Sequence, residues 1–418
     1  MMRPWNVGVA NLGLAAICAC ASDDRGSTEV QIRDSAGIRI VATPDWTTDG
    51  NMNVPDSSTV TIGVTESSEY ELSGIVGAFL LSDGRIVVGD AATRQVRCYS
   101  SSGTLLWSLG RRGSGPGEFN SILRIARYRG DSILVHDFGA RRFSIVSPAG
   151  AFARYWTPAK PASVQDKMLQ FVGAWSDGTV VLKTSPIHRP REDPRVVRID
   201  IEILSFDPTG SFAKTLGVFR GEEWYEGRGF GIGRLPFSRS TQFALSDGGF
   251  VAGATDEFEI TDFTRDGHPR SITRRLSRAR PISPSDVRNT RTRLLEEKRK
   301  ARDLMYRGLP DSIRQQIDVG ENRMVEEMPF PPTYPTFSRL LVSLDQSVWV
   351  RNELSASSAS SETWSVFDKG GMLTEHLRLP PGDSLQDATR TEVLVISTDS
   401  MGLQAVRLLP RQLAKRPP

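Results

Sequence analysis

The sequence predicts an all-β protein: a six-bladed β-propeller with four-stranded blades and one helical insertion. Three observations lead to this prediction. One segment repeats at a fixed shift of 47 residues, turn motifs recur along the 418-residue chain, and 37 Gly with 25 Pro supply the turns that many short strands need. Hydrophobic residues make up 39% of the chain, which is enough to bury a sizeable core.

The repeat is clearest between segments 86–105 and 133–152. Identical residues fall at Ile86/Ile133, Val88/Val135, Asp90/Asp137, Arg94/Arg141, Ser100/Ser147 and Gly103/Gly150. A shift of 164 residues aligns a third copy, in which Ala254 replaces the Asp and Phe258 replaces the Arg. A period in the forties is the size of one propeller blade.

Each copy predicts four short strands, named a to d. In the first copy Asp83-Gly84 forms the tight a–b turn, RIVVGD is strand b, QVRCYS is strand c, and Ser102-Gly103 turns into strand d. Further turns occur near Asp131, Asp177, Asp247 and Asp345, and a short last copy follows them. Six blades result. A pair of β-sandwiches is the structural alternative, but it does not predict a fixed shift.

The ring must close, because an open end would expose an unpaired sheet edge. The last copy has room for about two strands. Segment 29–44 offers two more, joined at Ser35-Ala36-Gly37. We therefore expect the N-terminal and C-terminal strands to share the closing blade.

The run GRRGSGPGEF (110–119), followed by an inner strand and an Asp-x-x-x-Arg unit, resembles NHL-type repeats. DSAGIRIV, PPTYPTFSRLLVSLDQSVWV and DSMGLQAVRLL are similar to segments of bacterial six-bladed β-propeller lipoproteins, a TolB-like type of propeller. This resemblance covers nearly the whole mature chain. It implies a fold and an extracytoplasmic location, and no particular activity.

The N-terminus has the pattern of a signal peptide. The apolar run 7–21 is short for a membrane span and ends in small residues. Ala19-Cys20 resembles a lipobox, which predicts lipidation of Cys20 and anchoring to the bacterial envelope, at the outer membrane or in the periplasm. Cleavage near Ala21, which would give a secreted protein, is the alternative. The predicted division is signal peptide 1–20, tether 21–28 and a single propeller 29–418.

Charge and cysteine content exclude other classes. The 52 Lys and Arg against 49 Asp and Glu leave a net charge of +3, which gives no argument for nucleic acid as a partner. Only three Cys occur, so a disulfide scaffold is excluded. Cys98 lies in a strand pattern, which favours a buried structural thiol over a nucleophile. We expect a monomer that contacts the membrane only through its lipid anchor.

The long connections fall between strands b and c or between strands d and a, and both kinds lie on the same face of a propeller. The longest is a helical and Pro-rich insertion, 283–335, between blades 4 and 5. Its helix should run from Ser283, which can cap it, to about Arg307 before Gly308. Because rigid scaffolds present functional loops, we expect binding on this b–c/d–a face.

Candidate binding residues on that face come from two loops, and packing onto a neighbouring blade is the competing interpretation for the aromatic pair. The candidates are Arg111, Arg112, Glu118, Asn120, Trp224, Tyr225 and Arg228. Glu118 and Asn120 are expected at the mouth of the channel. Asp90, Arg94, Asp137 and Arg141 are interpreted as structural repeat residues, with Asp binding turn amides and Arg linking blades.

No metal site or cofactor is predicted. His136, His188, His268 and His376 occupy non-equivalent positions in different blades, whereas a catalytic site needs ligands that converge. No catalytic motif is found, and the leading hypothesis is a protein that binds an unidentified ligand or a protein, peptide or glycan partner. The alternatives are a lactonase-like hydrolase or lyase at the channel mouth, and a structural envelope protein.

Overall fold

The computed structural model describes residues 29–44, 52–63, 71–228, 232–276, 279–306, 308–352 and 361–411. Cys20, the signal peptide 1–20, the tether 21–28 and most of the Ser-rich loop 355–361 lie outside these ranges. Among the described residues, no helix combines the length and apolarity needed to cross a bilayer.

The N-terminal part forms four short strands: β1 (Gln31–Ser35), β2 (Ile38–Pro44), β3 (Met52–Asn53) and β4 (Val60–Ile62). Four-stranded antiparallel sheets follow. Sheet 1 is β5 (Ile75–Leu80), β6 (Ile86–Asp90), β7 (Gln95–Tyr99) and β8 (Leu105–Leu109). Sheet 2 is β9 (Ile122–Arg127), β10 (Ile133–Asp137), β11 (Arg142–Val146) and β12 (Phe152–Trp156). These two sheets are the segments related by the 47-residue shift.

The next sheets are interrupted by inserted elements. Sheet 3 is β13 (Met168–Ala174), β14 (Val180–Ser185), β16 (Ile201–Phe206) and β17 (Phe212–Phe219). A small separate sheet consists of β15 (Arg195–Arg198), β18 (Glu223–Glu226) and β19 (Ile232–Arg234). Sheet 4 is built from β20 (Thr241–Ser246), β21 (Gly249–Ala254), β22 (Glu259–Thr264) and β23 (Pro269–Leu276).

Two helices precede the last sheets: α1 (Pro284–Met305) and α2 (Asp311–Glu327). Sheet 5 is built from β24 (Phe337–Val342), β25 (Val348–Asn352), β26 (Thr363–Phe367) and β27 (Leu373–Arg378). Sheet 6 contains β28 (Asp383–Ala388), β29 (Glu392–Thr398) and β30 (Gln404–Pro410), so the last copy supplies three strands rather than two.

The helical insertion begins as its capping residues predict. The Asp286 amide donates to Ser283 Oγ at 3.2 Å, and the Ser283 amide donates to Asp286 Oδ2 at 3.0 Å, which is a reciprocal capping box. Helix α2 was not predicted. Its buried face packs with the small sheet and with α1 around Tyr225, Leu235, Met324, Val325 and Met328, against which Leu294 and Leu295 also lie. We call the small sheet and the two helices the cap.

The apolar core is divided into clusters between neighbouring sheets. Cluster members come from sheets 1 and 2, 2 and 3, 3 and 4, 4 and 5, and 5 and 6. A further cluster joins sheet 6 to sheet 1, where Val406 and Leu408 lie with Leu80 and Val88. Each of sheets 1 to 6 therefore contributes apolar side chains to two clusters, one shared with each neighbouring sheet.

The N-terminal strands pair differently from the expectation. Strand β4, not the β1–β2 hairpin, joins the last sheet: Ile62 pairs with Val406, and Val60 pairs with Leu408. The hairpin forms at Ser35-Ala36-Gly37 but extends sheet 4, with β2 parallel to β23. The physical reason is burial, since both apolar residues of β4 enter the cluster between sheets 6 and 1.

Candidate functional site

The loop 110–120 folds onto itself between sheets 1 and 2. Arg111 and Glu118 form a salt bridge at 2.7 Å, and the Gly115 amide donates to Glu118 Oε2 at 2.9 Å. The amide of Gly115, and then Arg111, hold the pKa of Glu118 below its usual range. The carboxylate is thus ionised and already occupied within its own loop.

Arg142, the first residue of β11, binds the same loop. Its guanidinium donates to the carbonyl oxygens of Ser114, Gly115 and Glu118 at 2.8–3.1 Å. The Asn120 side chain donates to Ser114 Oγ at 2.9 Å. Glu118 and Asn120 therefore organise the loop, and neither is among the described residues that line the central channel. Arg111 and Arg112 remain exposed.

The Asp and Arg residues of the repeat lie at the b–c turns. Asp90 accepts the Ala92 amide at 2.9 Å, and Asp137 accepts the amides of Asn120 and Ser121 at 3.0 and 2.9 Å. Arg94 Nε donates to the Asn120 carbonyl at 3.0 Å, which joins sheet 1 to the start of sheet 2. Arg141 is exposed and lines a cavity on the b–c/d–a face.

Trp224 and Tyr225 are strand residues of the cap, not presented loop residues. Tyr225 is only 4% exposed, and burial raises the pKa of its phenol. Half-buried Trp224 stacks on His188, with ring centroids 4.4 Å apart. Both aromatic side chains therefore pack within the protein, Tyr225 in the apolar cluster of the cap and Trp224 against His188. Arg228 is exposed, and its Nε donates to the Glu192 carbonyl at 3.0 Å.

A cavity of about 770 Å³ lies on the b–c/d–a face between sheets 2 and 3. Phe138, Met168 and Ile187 line it and are 42–55% exposed. Its cationic lining residues are Arg141, Lys160 and Lys167. We call this cavity the face pocket. The apolar residues of the face pocket were not predicted from the sequence, although Phe138 and Ile187 each closely follow a strand b, where polar loop residues are more common.

His136 supplies a polar group to the wall of the face pocket. His136 is 7% exposed, and its ring stacks on that of Phe143 with the ring centroids 4.6 Å apart. Its Nδ1 has no hydrogen-bond partner in the described part of the chain. Burial lowers the pKa of His136 to about 4, so the imidazole is neutral at pH 7. A neutral imidazole can accept or donate one hydrogen bond to a bound molecule.

The other histidines lie apart from this one. His188 contacts Glu226 at 3.1 Å in the cap, His268 is exposed after a turn, and His376 contacts Ser365 Oγ at 3.1 Å in sheet 5. Within the described ranges, no three His, Cys, Asp or Glu residues are grouped as metal ligands would be. Cys98 is buried, and burial raises the pKa of its thiol.

The central channel, where a hydrolase or lyase site was the alternative, is lined by residues in or next to the first strand of each of sheets 1 to 6 and by Lys183 of β14. Asp387 is the one carboxylate among its described lining residues. It accepts the amides of Leu80 and Ala388 at 2.9 Å each and forms a salt bridge with Arg127. The Asp387 carboxylate therefore links sheets 1, 2 and 6 and has a structural role.

No family model matches the chain, and no curated protein is similar to it in sequence. Among solved structures, a member of the DUF4221 family from Bacteroides vulgatus is similar over 86% of this chain and 98% of its own, with 9% identity and a TM-score of 0.50. A candidate exported protein from Bacteroides fragilis covers 90% of this chain and 100% of its own at 10% identity and a TM-score of 0.46. Virginiamycin B lyase from Staphylococcus aureus is similar over 85% of this chain and 88% of its own, with 9% identity and a TM-score of 0.37. At these identities the similarity concerns the fold alone, and that fold is a β-propeller.

Proposed function

We propose that this chain is an extracytoplasmic six-bladed propeller that binds a ligand or a protein partner on its b–c/d–a face, through the face pocket. The observation that supports this function is a 770 Å³ cavity in which exposed apolar side chains surround a buried, unpartnered imidazole nitrogen. Apolar walls with a few polar groups are typical of small-molecule sites. Binding is favoured over catalysis because the channel carboxylate is already bonded.

Six blades in a closed ring are part of the proposal. Six sheets of four or more strands, counting β4 with sheet 6, lie among the described residues. The apolar cluster between sheets 6 and 1 supports contact between the last and first blades. The repeat type that the sequence resembles has the same blade number. Closure would remove the exposed faces that an open array of sheets would leave.

A lipid anchor at Cys20 is proposed from the sequence alone. Cys20→Ala should release the protein from bacterial membranes and abolish labelling by a fatty-acid analogue, because the acylated residue is lost. Cys18→Ala is the matched control and should keep both properties. Membrane association that persists in Cys20→Ala would leave secretion after ordinary cleavage as the better account.

The face pocket is tested with Nile red, a neutral apolar dye. Ile187→Asp places a charge among the apolar walls, so dye affinity should fall about tenfold or more, as expected for losing one buried aliphatic contact. Leu106→Asp is the control, because Leu106 is 50% exposed on β8 and Ile187 is 55% exposed. Fluorescence titration measures both. Equal affinities for Ile187→Asp and the unmodified chain, or equal losses in the two variants, would contradict this site.

A further inference from the structure

The central channel is a second cavity with a different chemistry. It has a volume of about 360 Å³ and shares no lining residue with the face pocket. Its cationic lining residues come from three strands of three different sheets: Arg124 and Arg127 from β9, Lys183 from β14 and Arg339 from β24. Lys183 lines the channel, whereas the preceding residue Leu182 lines the face pocket. Successive side chains of a strand point to opposite faces of its sheet, so these two neighbours in β14 reach different cavities.

Only one of these four charges is neutralised inside the channel. Arg127 pairs with Asp387, which leaves Arg124, Lys183 and Arg339. Two carboxylates outside the channel attract these cations, Glu222 acting on Lys183 and Glu362 on Arg339, and both have their own partners. Glu222 forms a salt bridge with Arg234 at 3.1 Å, and Glu362 accepts the indole N–H of Trp364 at 3.0 Å.

Most hydrogen-bond donors of the three cations are unused. Arg124 donates through Nη1 to the Phe171 carbonyl at 3.2 Å, and Arg339 donates through Nη1 to the Leu385 carbonyl at 2.6 Å. Within the described ranges, Lys183 Nζ has neither a hydrogen bond nor an ion pair. Guanidinium and ammonium groups carry five and three donors, so the channel has donors to spare.

The protein surroundings disfavour these charges when the channel holds no anion. Burial lowers the pKa of Arg339 to about 10, and repulsion from Arg124 acts in the same direction. Burial also lowers the pKa of Lys183, again with repulsion from Arg124, against the attraction of Glu222. Charges that repel one another across a cavity are stabilised by an anion between them.

We propose that the central channel binds a small-molecule anion, a compound bearing phosphate or carboxylate groups, through Arg124, Lys183 and Arg339. Guanidinium groups bind both kinds of oxyanion through paired hydrogen bonds, and a lysine adds a point charge. The volume suits a small molecule. This site is separate from the proposed function of the face pocket, because the two cavities have different linings.

Isothermal titration calorimetry with citrate and with inorganic phosphate, at low ionic strength and pH 7, tests the site. Lys183→Gln and Arg124→Gln should each weaken anion binding about tenfold or more, as expected for losing one charge-assisted hydrogen bond. Lys214→Gln is the control of equal charge, because Lys214 lies on the outer strand β17 and pairs with Asp266. Tighter binding of citrate indicates a carboxylate ligand, and tighter binding of phosphate indicates a phosphorylated one.

A second measurement needs no ligand. Lys183→Gln should raise the Tm of the anion-free protein, because an unpaired cation is removed from the channel, whereas Lys214→Gln should not. Absence of binding by both anions, or equal weakening in the Lys183 and Lys214 variants, overturns the proposal. Ile187→Asp should keep its affinity for the anions. The channel site is therefore tested independently of the face pocket.

Discussion

Ile62→Asp is expected to lower the free energy of unfolding by about 4–5 kcal/mol, because it removes a buried aliphatic side chain and places a carboxylate in its position. Ile62 is 1% exposed and lies in the cluster between sheets 6 and 1. The substitution also disfavours the pairing of β4 with β30, which would leave the edge of sheet 6 unpaired. Urea denaturation of the mature chain measures the change.

Ile32→Asp is the matched control for this experiment. Ile32 is 53% exposed on β1, in the hairpin that was first expected to close the last blade. Its substitution should change stability by about 0.5 kcal/mol or less, as exposed positions usually do. Equal losses in the two variants would count against β4 as the strand that completes sheet 6.

Asp387→Ala is expected to lower the free energy of unfolding by about 3 kcal/mol, since it removes a buried carboxylate and leaves half-buried Arg127 without its ion-pair partner. It also leaves the amides of Leu80 and Ala388 without their acceptor. The three contacts belong to sheets 1, 2 and 6, so the loss should appear as lower global stability. Chemical denaturation followed by tryptophan fluorescence measures it.

Asp399→Ala provides the comparison, because Asp399 accepts two amides of its own exposed turn in sheet 6, at 2.9 Å each. That substitution should cost about 1 kcal/mol. The double variant Asp387→Leu with Arg127→Met should recover part of the larger loss, because no unpaired charge remains. A loss in Asp387→Ala no greater than in Asp399→Ala would show that Asp387 does not link the sheets.

The repeated part of the fold was predictable because it is encoded locally. Gly103 and Gly150, 47 residues apart, have φ values of +88° and +84°, a backbone conformation that favours glycine in turns. Asp90 and Asp137 end the second strands of sheets 1 and 2. Turn chemistry and strand alternation thus repeat together, and the shift identifies the sheets before any coordinates are known.

The cap and the cavities could not be predicted in the same way. Helix α2 has no clear capping residue, since Pro310 makes no side-chain cap bond, and its apolar face is defined by contact with the small sheet and α1. The channel cations are single basic residues in separate strands, so their convergence depends on how the sheets are arranged. Sequence spacing carries no signal for that arrangement.

The pairing of β4 with β30 has a consequence for the timing of folding. Thr59 and Leu408, which hydrogen-bond at 2.8 Å, are separated by almost the entire described chain. Until the residues after Gln404 are present, β4 has no strand to pair with, and Val406 and Leu408 are missing from the cluster between sheets 6 and 1. We therefore expect the pairing of β4 with β30 to be a late step of folding, because strand pairing between residues so distant in sequence forms slowly.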